Sequence, residues 1–177
     1  SDPLTGVHNR SHLRELIESR IHQSIETGAD LAVLLIDFDR FKQINDQLGH
    51  LFGDRVLLAG VASMRACLQD EDILGRFGGE EFVIVLEGSR AQVAEEVAEA
   101  LRHHVQTSLV SLDTKGIAVT VSIGMARFSD LDGQSPRGVD AFLDAGDRAM
   151  YEAKAAGRNR VVVFNEGVTA KRENTRA

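Results

Sequence analysis

A single cysteine, Cys67, is all the thiol in this chain of 177 residues. That excludes an internal disulfide framework and any zinc site built from several cysteines. Cys67 lies on an apolar helical face and reads as core packing. No apolar run approaches the roughly 18 residues needed to cross a bilayer, and no signal-peptide pattern opens the chain. The chain starts Ser1-Asp2-Pro3 without an initiator methionine, so it is read as a piece of a longer protein whose compartment is not directly legible. Basic residues are in the minority: 20 Lys and Arg against 27 Asp and Glu, a formal net charge of −7. That argues against a surface that coats nucleic acid. It leaves room for a small phosphate pocket, which needs only one or two cations. There is no Walker-type phosphate loop and no His-Glu-x-x-His zinc motif, so a bound nucleotide would have to be held by another route. Internal repeats and low-complexity stretches are also lacking. What is present is an ordinary globular balance, 43% apolar and 27% charged, at a length that suits one domain with a substantial core.

Hydrophobic periodicity gives the organisation. Leu13, Leu16, Ile17, Ile21 and Ile25 recur at helical spacing and stop before Gly28. Residues 31–36 form a continuous apolar run that suits a central strand covered on both faces. Helices are predicted over 39–47, ended by Gly49, and over 54–68. Strand-like runs at 73–77 and 81–86 flank Gly78-Gly79, which predicts a hairpin. A helix is expected over 90–106; its His103 and His104 read as exposed helix residues. Ile117, Val119, Val121 and Ile123 alternate as a half-buried strand would. A helix over 137–155 and a strand over 160–164 close the domain, with Met150 and Tyr151 read as core. Residues 165–177 are polar and charged and are expected to be a disordered tail or connector. The order implies an α+β sandwich with a mixed or antiparallel sheet covered by helices, one domain over 1–164.

Acidic groups gather at predicted strand ends. The first apolar strand runs into Asp37-Phe38-Asp39, and the hairpin turn carries Glu80-Glu81 directly after its glycines. Oxygen ligands of this kind, with space left for phosphate, are what a hard divalent cation requires. Strand ends and turns are also often acidic simply because they are solvated. Gly78 and Gly79 let backbone approach a ligand, though a hairpin favours glycine anyway. Lys42 follows Asp37 by five residues. Lys154 and Arg158 close a helix, where cations commonly serve the helix dipole.

These residues carry a family resemblance. Asp37-Phe-Asp-Arg-Phe-Lys-Gln-Ile-Asn45-Asp46, Gly49-His50-Leu-Phe-Gly53-Asp54 and Arg76-Phe-Gly78-Gly79-Glu80-Glu81-Phe82 closely resemble the GGDEF family of diguanylate cyclases. Asp2-Pro-Leu-Thr5-Gly-Val-His-Asn9-Arg10 looks like the family's opening signature. Thr120-Val-Ser-Ile-Gly124 and Asp147-Arg-Ala-Met-Tyr151-Glu-Ala-Lys154-Ala-Ala-Gly157-Arg158 look like its later blocks, so the resemblance spans residues 2–164. It implies a polymerase-palm-like, mostly antiparallel sheet flanked by helices, related to nucleotide cyclases. The implied activity joins two GTP into cyclic di-GMP at the interface of two domains, with Mg²⁺, or Mn²⁺, as cofactor.

The resemblance also implies roles. Asp37, Glu80, Glu81 and the carbonyl of Phe38 would hold metal. Glu80, or a water it holds, is the candidate base, and Lys42 would stabilise transition-state charge. Asn45, His50 and Asp54 would contact substrate, with Asn45 and Asp54 on guanine. Asp54 read alone could equally be a helix N-cap. Lys154, Arg158 and the amides around Phe41 would bind phosphates. Asp39 is assigned to structural polar contacts. Gly146 stands where the family more often has alanine, at a cost to the helix of about 1 kcal/mol. At the family's inhibitory product site Asp72 is kept but Gln69 replaces arginine, so that site is expected to be degraded. The implied partners are GTP, product and a transient or host-driven second copy, with no nucleic acid and no direct membrane contact. The implied setting is a cytoplasmic domain of a larger protein, membrane-attached or not. An alternative is a catalytically silent module that binds GTP or cyclic di-GMP; such members usually carry damage in the hairpin or at the metal aspartate, and none is visible here.

Overall fold

The computed structural model describes residues 1–133 and 137–165; nearly all of the predicted polar tail therefore lies outside the described residues. Five strands form one sheet in the order β2-β3-β1-β4-β5. They are β1 (Leu31–Phe38), β2 (Ile73–Arg76), β3 (Glu81–Glu87), β4 (Val121–Arg127) and β5 (Val161–Val163). All pairings are antiparallel except β4 with β5, so the sheet is mixed. The α-helices are α1 (Arg10–Thr27), α2 (Phe41–Leu48), α3 (His50–Ala66), α4 (Ser89–Gln92), α5 (Ala94–Ser108) and α6 (Val139–Ala155). Among the described residues no helix is long and apolar enough to cross a membrane.

β1 is apolar throughout because it lies between β3 and β4 with both faces covered, and all eight of its residues are buried. Its alternate side chains enter two cores. Ala32, Leu34, Ile36 and Phe38 meet residues of α2, α3 and α5, among them Phe41, Ile44, Met64 and Leu101. Leu31, Val33 and Leu35 meet α1 and α6 through Leu13, Ile17, Phe142 and Met150. The result is a sheet sandwiched between two helical layers.

Several boundaries differ from the periodicity. β4 begins at Val121 and reaches Arg127, later than the alternation suggested. Val121, Ile123 and Met125 point into one core, while Ser122, Gly124 and Ala126 are small and equally buried. The small residues lie beneath α6, so an alternation of large and small looked like one of buried and exposed. The helix predicted over 90–106 is two helices broken at Val93, whose backbone leaves helical geometry. α3 starts at His50, four residues before the predicted start, and a single residue, Gly49, separates it from α2.

α6 lies against β4 with no side chain between them. A Cβ on Gly124 would overlap the Gly146 carbonyl oxygen and the Met150 nitrogen, and a Cβ on Gly146 would come within 2.5 Å of Leu35 Cδ2. Gly146 therefore trades helix propensity for close packing. We expect Gly124→Ala to destabilise the domain by about 2–3 kcal/mol. Thermal denaturation would record this as a fall of about 5–10 °C. Gly138→Ala, where an added Cβ meets nothing within 4 Å, should change stability by less than about 1 kcal/mol.

Candidate active site

The register of β1 against β3 makes Asp37 and Glu81 direct cross-strand partners. The Phe38 amide donates to the Glu80 carbonyl at 3.3 Å, which fixes the hairpin turn beside the end of β1. Asp37 is only 3% exposed, and its carboxylate meets the Lys154 ammonium at 2.8 Å. Burial pushes the Asp37 carboxyl up to about 6; Glu80 and Glu81 push the same way, and Lys154 opposes them. Glu81 is also raised, by burial first and then by Asp147 and Glu80, against Lys154 and Arg10. The end of the sheet thus holds more negative charge than its own cations neutralise.

Arg76 braces the turn. Its guanidinium donates to the carbonyls of Gly78 at 3.1 Å and Gly79 at 2.6 Å, and to both Asp2 carboxylate oxygens at 3.1 and 3.2 Å. Asp2 in turn accepts from the Thr5 amide at 2.8 Å and hydroxyl at 2.6 Å. His8 completes the tie through backbone bonds to Leu74 and Arg76. The opening signature is therefore part of the scaffold of the site. No local signal reveals this, because Asp2 and Arg76 are 74 residues apart.

Beside the turn lies an open cleft of about 380 Å³ lined by Phe41, Lys42, Asn45, His50, Asp54, Leu57, Arg76, Gly79 and Glu80. It brings together five predicted substrate or catalytic positions from α2 and α3 with the acidic turn. Asp54 sits inside α3 rather than at its start, which removes the N-cap reading. Asn45 Oδ1 is buried against Gly53 and, among the described residues, has no hydrogen-bond partner. Lys42 is 92% exposed, with Asp46 at 3.8 Å as its nearest countercharge. α2 has no side-chain cap at Arg40, leaving its first amides, those around Phe41, without a capping side chain. Gly79 faces open space, while a Cβ on Gly78 would touch Glu81 Oε2 at 3.0 Å. Arg158 does not line this cleft. It lies in an adjoining one of about 300 Å³ with Asp39, Arg40, Thr120 and Asn159.

Asp37, Glu80, Glu81 and the Phe38 carbonyl are the oxygen donors from which a metal site could be assembled. Among the described residues, no three His, Cys, Asp or Glu side chains already stand in ligating positions. The donors are all hard oxygens with excess negative charge, which suits a hard divalent cation. Asp147 on α6, which acts on Glu81, joins the acidic group from a helix whose spacing gives no sign of it.

The Asp72 side chain is 1% exposed and bound by Arg90, whose Nη2 lies 2.7 Å from its carboxylate. Asp72 also accepts from the Gln69 amide at 2.9 Å. Its charge is thus neutralised internally by a residue 18 positions away.

The raised Asp37 value has a consequence for stability. The folded chain holds this proton more tightly than the unfolded chain, so this group's contribution to stability falls as pH rises from about 4 through about 6. Asp37→Asn removes that cost, bounded at about 3 kcal/mol by ~1.4 kcal/mol per pH unit. In excess EDTA at pH 7.5, calorimetry should find the variant melting a few degrees higher than the parent; a lower melting temperature would contradict the burden assigned to this carboxylate.

Residues 1–160 match the family described as diguanylate cyclase, GGDEF domain. The chain is 35% identical over 163 residues to the diguanylate cyclase DgcP of Pseudomonas aeruginosa, covering 92% of this chain and 24% of that protein. It is 37% identical over 164 residues to the response regulator PleD of Caulobacter vibrioides, covering 92% of this chain and 35% of that protein. The chain thus spans about a quarter to a third of these relatives. Its fold is similar to the GGDEF domain of DgcB from Caulobacter crescentus in complex with c-di-GMP, with a TM-score of 0.81 and 26% identity over 92% of this chain and 94% of that one. It is also similar to the diguanylate cyclase SiaD in complex with its activator SiaC from Pseudomonas aeruginosa, with a TM-score of 0.81 and 35% identity over 92% of this chain and 60% of that one. With the acidic turn, the paired strand end and the cleft all formed from the matching residues, the chain belongs to the GGDEF diguanylate cyclase family.

Proposed function

We propose that this chain, as a domain spanning residues 1–164, condenses two GTP into cyclic di-GMP and two pyrophosphates where two copies face each other. The observation that carries the reading is the cleft that sets the Asn45 amide and the Asp54 carboxylate beside Glu80 of the acidic turn. Guanine offers N1–H and a 2-amino group to such acceptors. Adenine offers neither, so ATP would leave them unpaired.

Asp37, Glu80, Glu81 and the Phe38 carbonyl would hold Mg²⁺ or Mn²⁺, which supplies positive charge against the triphosphate oxygens. In each half-reaction the ribose 3′-oxygen of one GTP bonds to the α-phosphorus of the other, and the bond to the pyrophosphate breaks. Glu80, or a water it holds, takes the hydroxyl proton. A carboxylate bound to metal is a weak base, so metal binding is the primary role of Glu80 in this reading. Lys42, long and almost fully exposed, reaches charge developing on the transferred group. Lys154 and Arg158 bind the outer phosphates. The symmetry of the product needs two sites facing each other about a two-fold axis. Control by product does not run through Gln69 and Asp72, because the arginine is missing and Asp72 is already paired with Arg90.

Incubation with GTP and Mg²⁺, followed by chromatography, should yield cyclic di-GMP. Glu80→Gln should abolish it with the fold intact by circular dichroism. Retention of more than about a tenth of parental turnover, a loss below ~1.4 kcal/mol, would overturn the assignment. Specific activity should fall on dilution, because one copy holding one GTP has no partner hydroxyl. A flat dilution series from a chain shown to be monomeric by light scattering would exclude the two-copy mechanism.

A further inference from the structure

Between α6 and β5 the backbone makes an unusual turn. Gly157, Arg158 and Asn159 all have positive φ, 119°, 66° and 45°. Glycine adopts this region freely, but each non-glycine residue there costs on the order of 1 kcal/mol and persists only where its surroundings enforce it. β5 is three residues long and half-exposed, so little of that enforcement comes from the strand itself.

Backbone bonds cap the helix end, Arg158 N–H to the Ala153 carbonyl at 3.0 Å and Gly157 N–H to the Lys154 carbonyl at 3.3 Å, and two side chains then hold Asn159, one on each side. The Asn159 amide donates to Asp39 Oδ2 at 3.0 Å, and Arg102 Nη1 on α5 donates to Asn159 Oδ1 at 2.8 Å. Arg102 is itself held by Glu99 at 2.6 Å. Asp39 is 2% exposed and, among the described residues, forms no ion pair. Its carboxylate is satisfied by Asn159 together with the hydroxyls of Thr120 at 2.7 Å and Ser122 at 2.6 Å. A carboxylate with three converging donors and no countercharge is a rigid junction. This one follows Asp37 by two residues and grips the residue after Arg158, so it couples the metal-binding strand end to the arginine.

We propose that Asp39 and Arg102 are positioning residues that hold the strained 157–159 turn so that Arg158 is pre-set to meet the outer phosphates of GTP. The proposal rests on the reading of Arg158 as a phosphate ligand. Preorganisation of this kind acts on the triphosphate end of the substrate and leaves the guanine end unaffected.

The test compares binding of a non-hydrolysable GTP analogue and of GMP, in Mg²⁺, by calorimetry. An asparagine at this position could still accept from Asn159 and Thr120 and donate to the Ser122 hydroxyl, whereas Asp39→Ala removes every acceptor from the three donors. It should weaken the analogue about tenfold or more while leaving GMP within about twofold. Arg102→Met, on a side chain at the rim of the core, should give the same selective loss, and it carries the test if Asp39→Ala does not fold. Losses that are equal for analogue and GMP, or absent for both, would make these residues merely structural and overturn the proposal. If the parent chain bound neither ligand, the reading of the site as a GTP site would fall as well, a result distinguishable from failure of the clamp alone.

Discussion

The antiparallel pairing of β1 with β3 is the constraint on which the site depends. In this register Asp37 lies opposite Glu81, and the Phe38 amide reaches the Glu80 carbonyl. A slip of one residue would exchange the two cores, sending Leu34 and Ile36 to the α6 side and Val33 and Leu35 to the α3 side. Both faces of β1 are fully buried, so such a slip is strongly opposed. The hydrophobic interior thus sets the spacing of the acidic groups, which taken alone would move apart.

That mutual repulsion is managed by a few cations placed from elsewhere in the chain. Lys154 arrives on α6 and meets Asp37 directly. Arg10 approaches from α1, close enough to temper Glu81 and to lie over the Phe77 ring at 4.4 Å. Arg76 holds the turn by its carbonyls, anchored in turn by Asp2. Under this scheme the local excess of negative charge is a cost in stability of the kind that gathers at functional sites.

Much of this was legible in the sequence. A strand buried on both faces is a plain apolar run, and a turn rich in glycine followed by two glutamates announces itself. Asp37 and Glu80-Glu81 could therefore be found as strand-end carboxylates, and the matching blocks supplied their partnership. Other features leave no periodic trace. The Asp2–Arg76 brace and the Asp39–Asn159 contact join residues far apart in sequence. The break at Val93 follows a helix of only four residues, too short to show a register of its own. Gly124 and Ser122 looked like the exposed phase of a strand because small residues under a closely docked helix mimic polar ones on a surface.

The contact of α6 with β4 settles how the site can adjust. Gly124 meets the backbone of α6 near Gly146, eight residues before Lys154, a distance of about 12 Å along the helix. With backbone against backbone at the middle of the helix, there is no layer of deformable side chains there to absorb sliding. α6 behaves as a stiff bar pinned at its centre, and the place of the Lys154 ammonium is inherited from main-chain geometry. Accommodation at this end of the sheet then falls to exposed side chains such as Lys42, since the helix that delivers the central cation has no freedom to retreat.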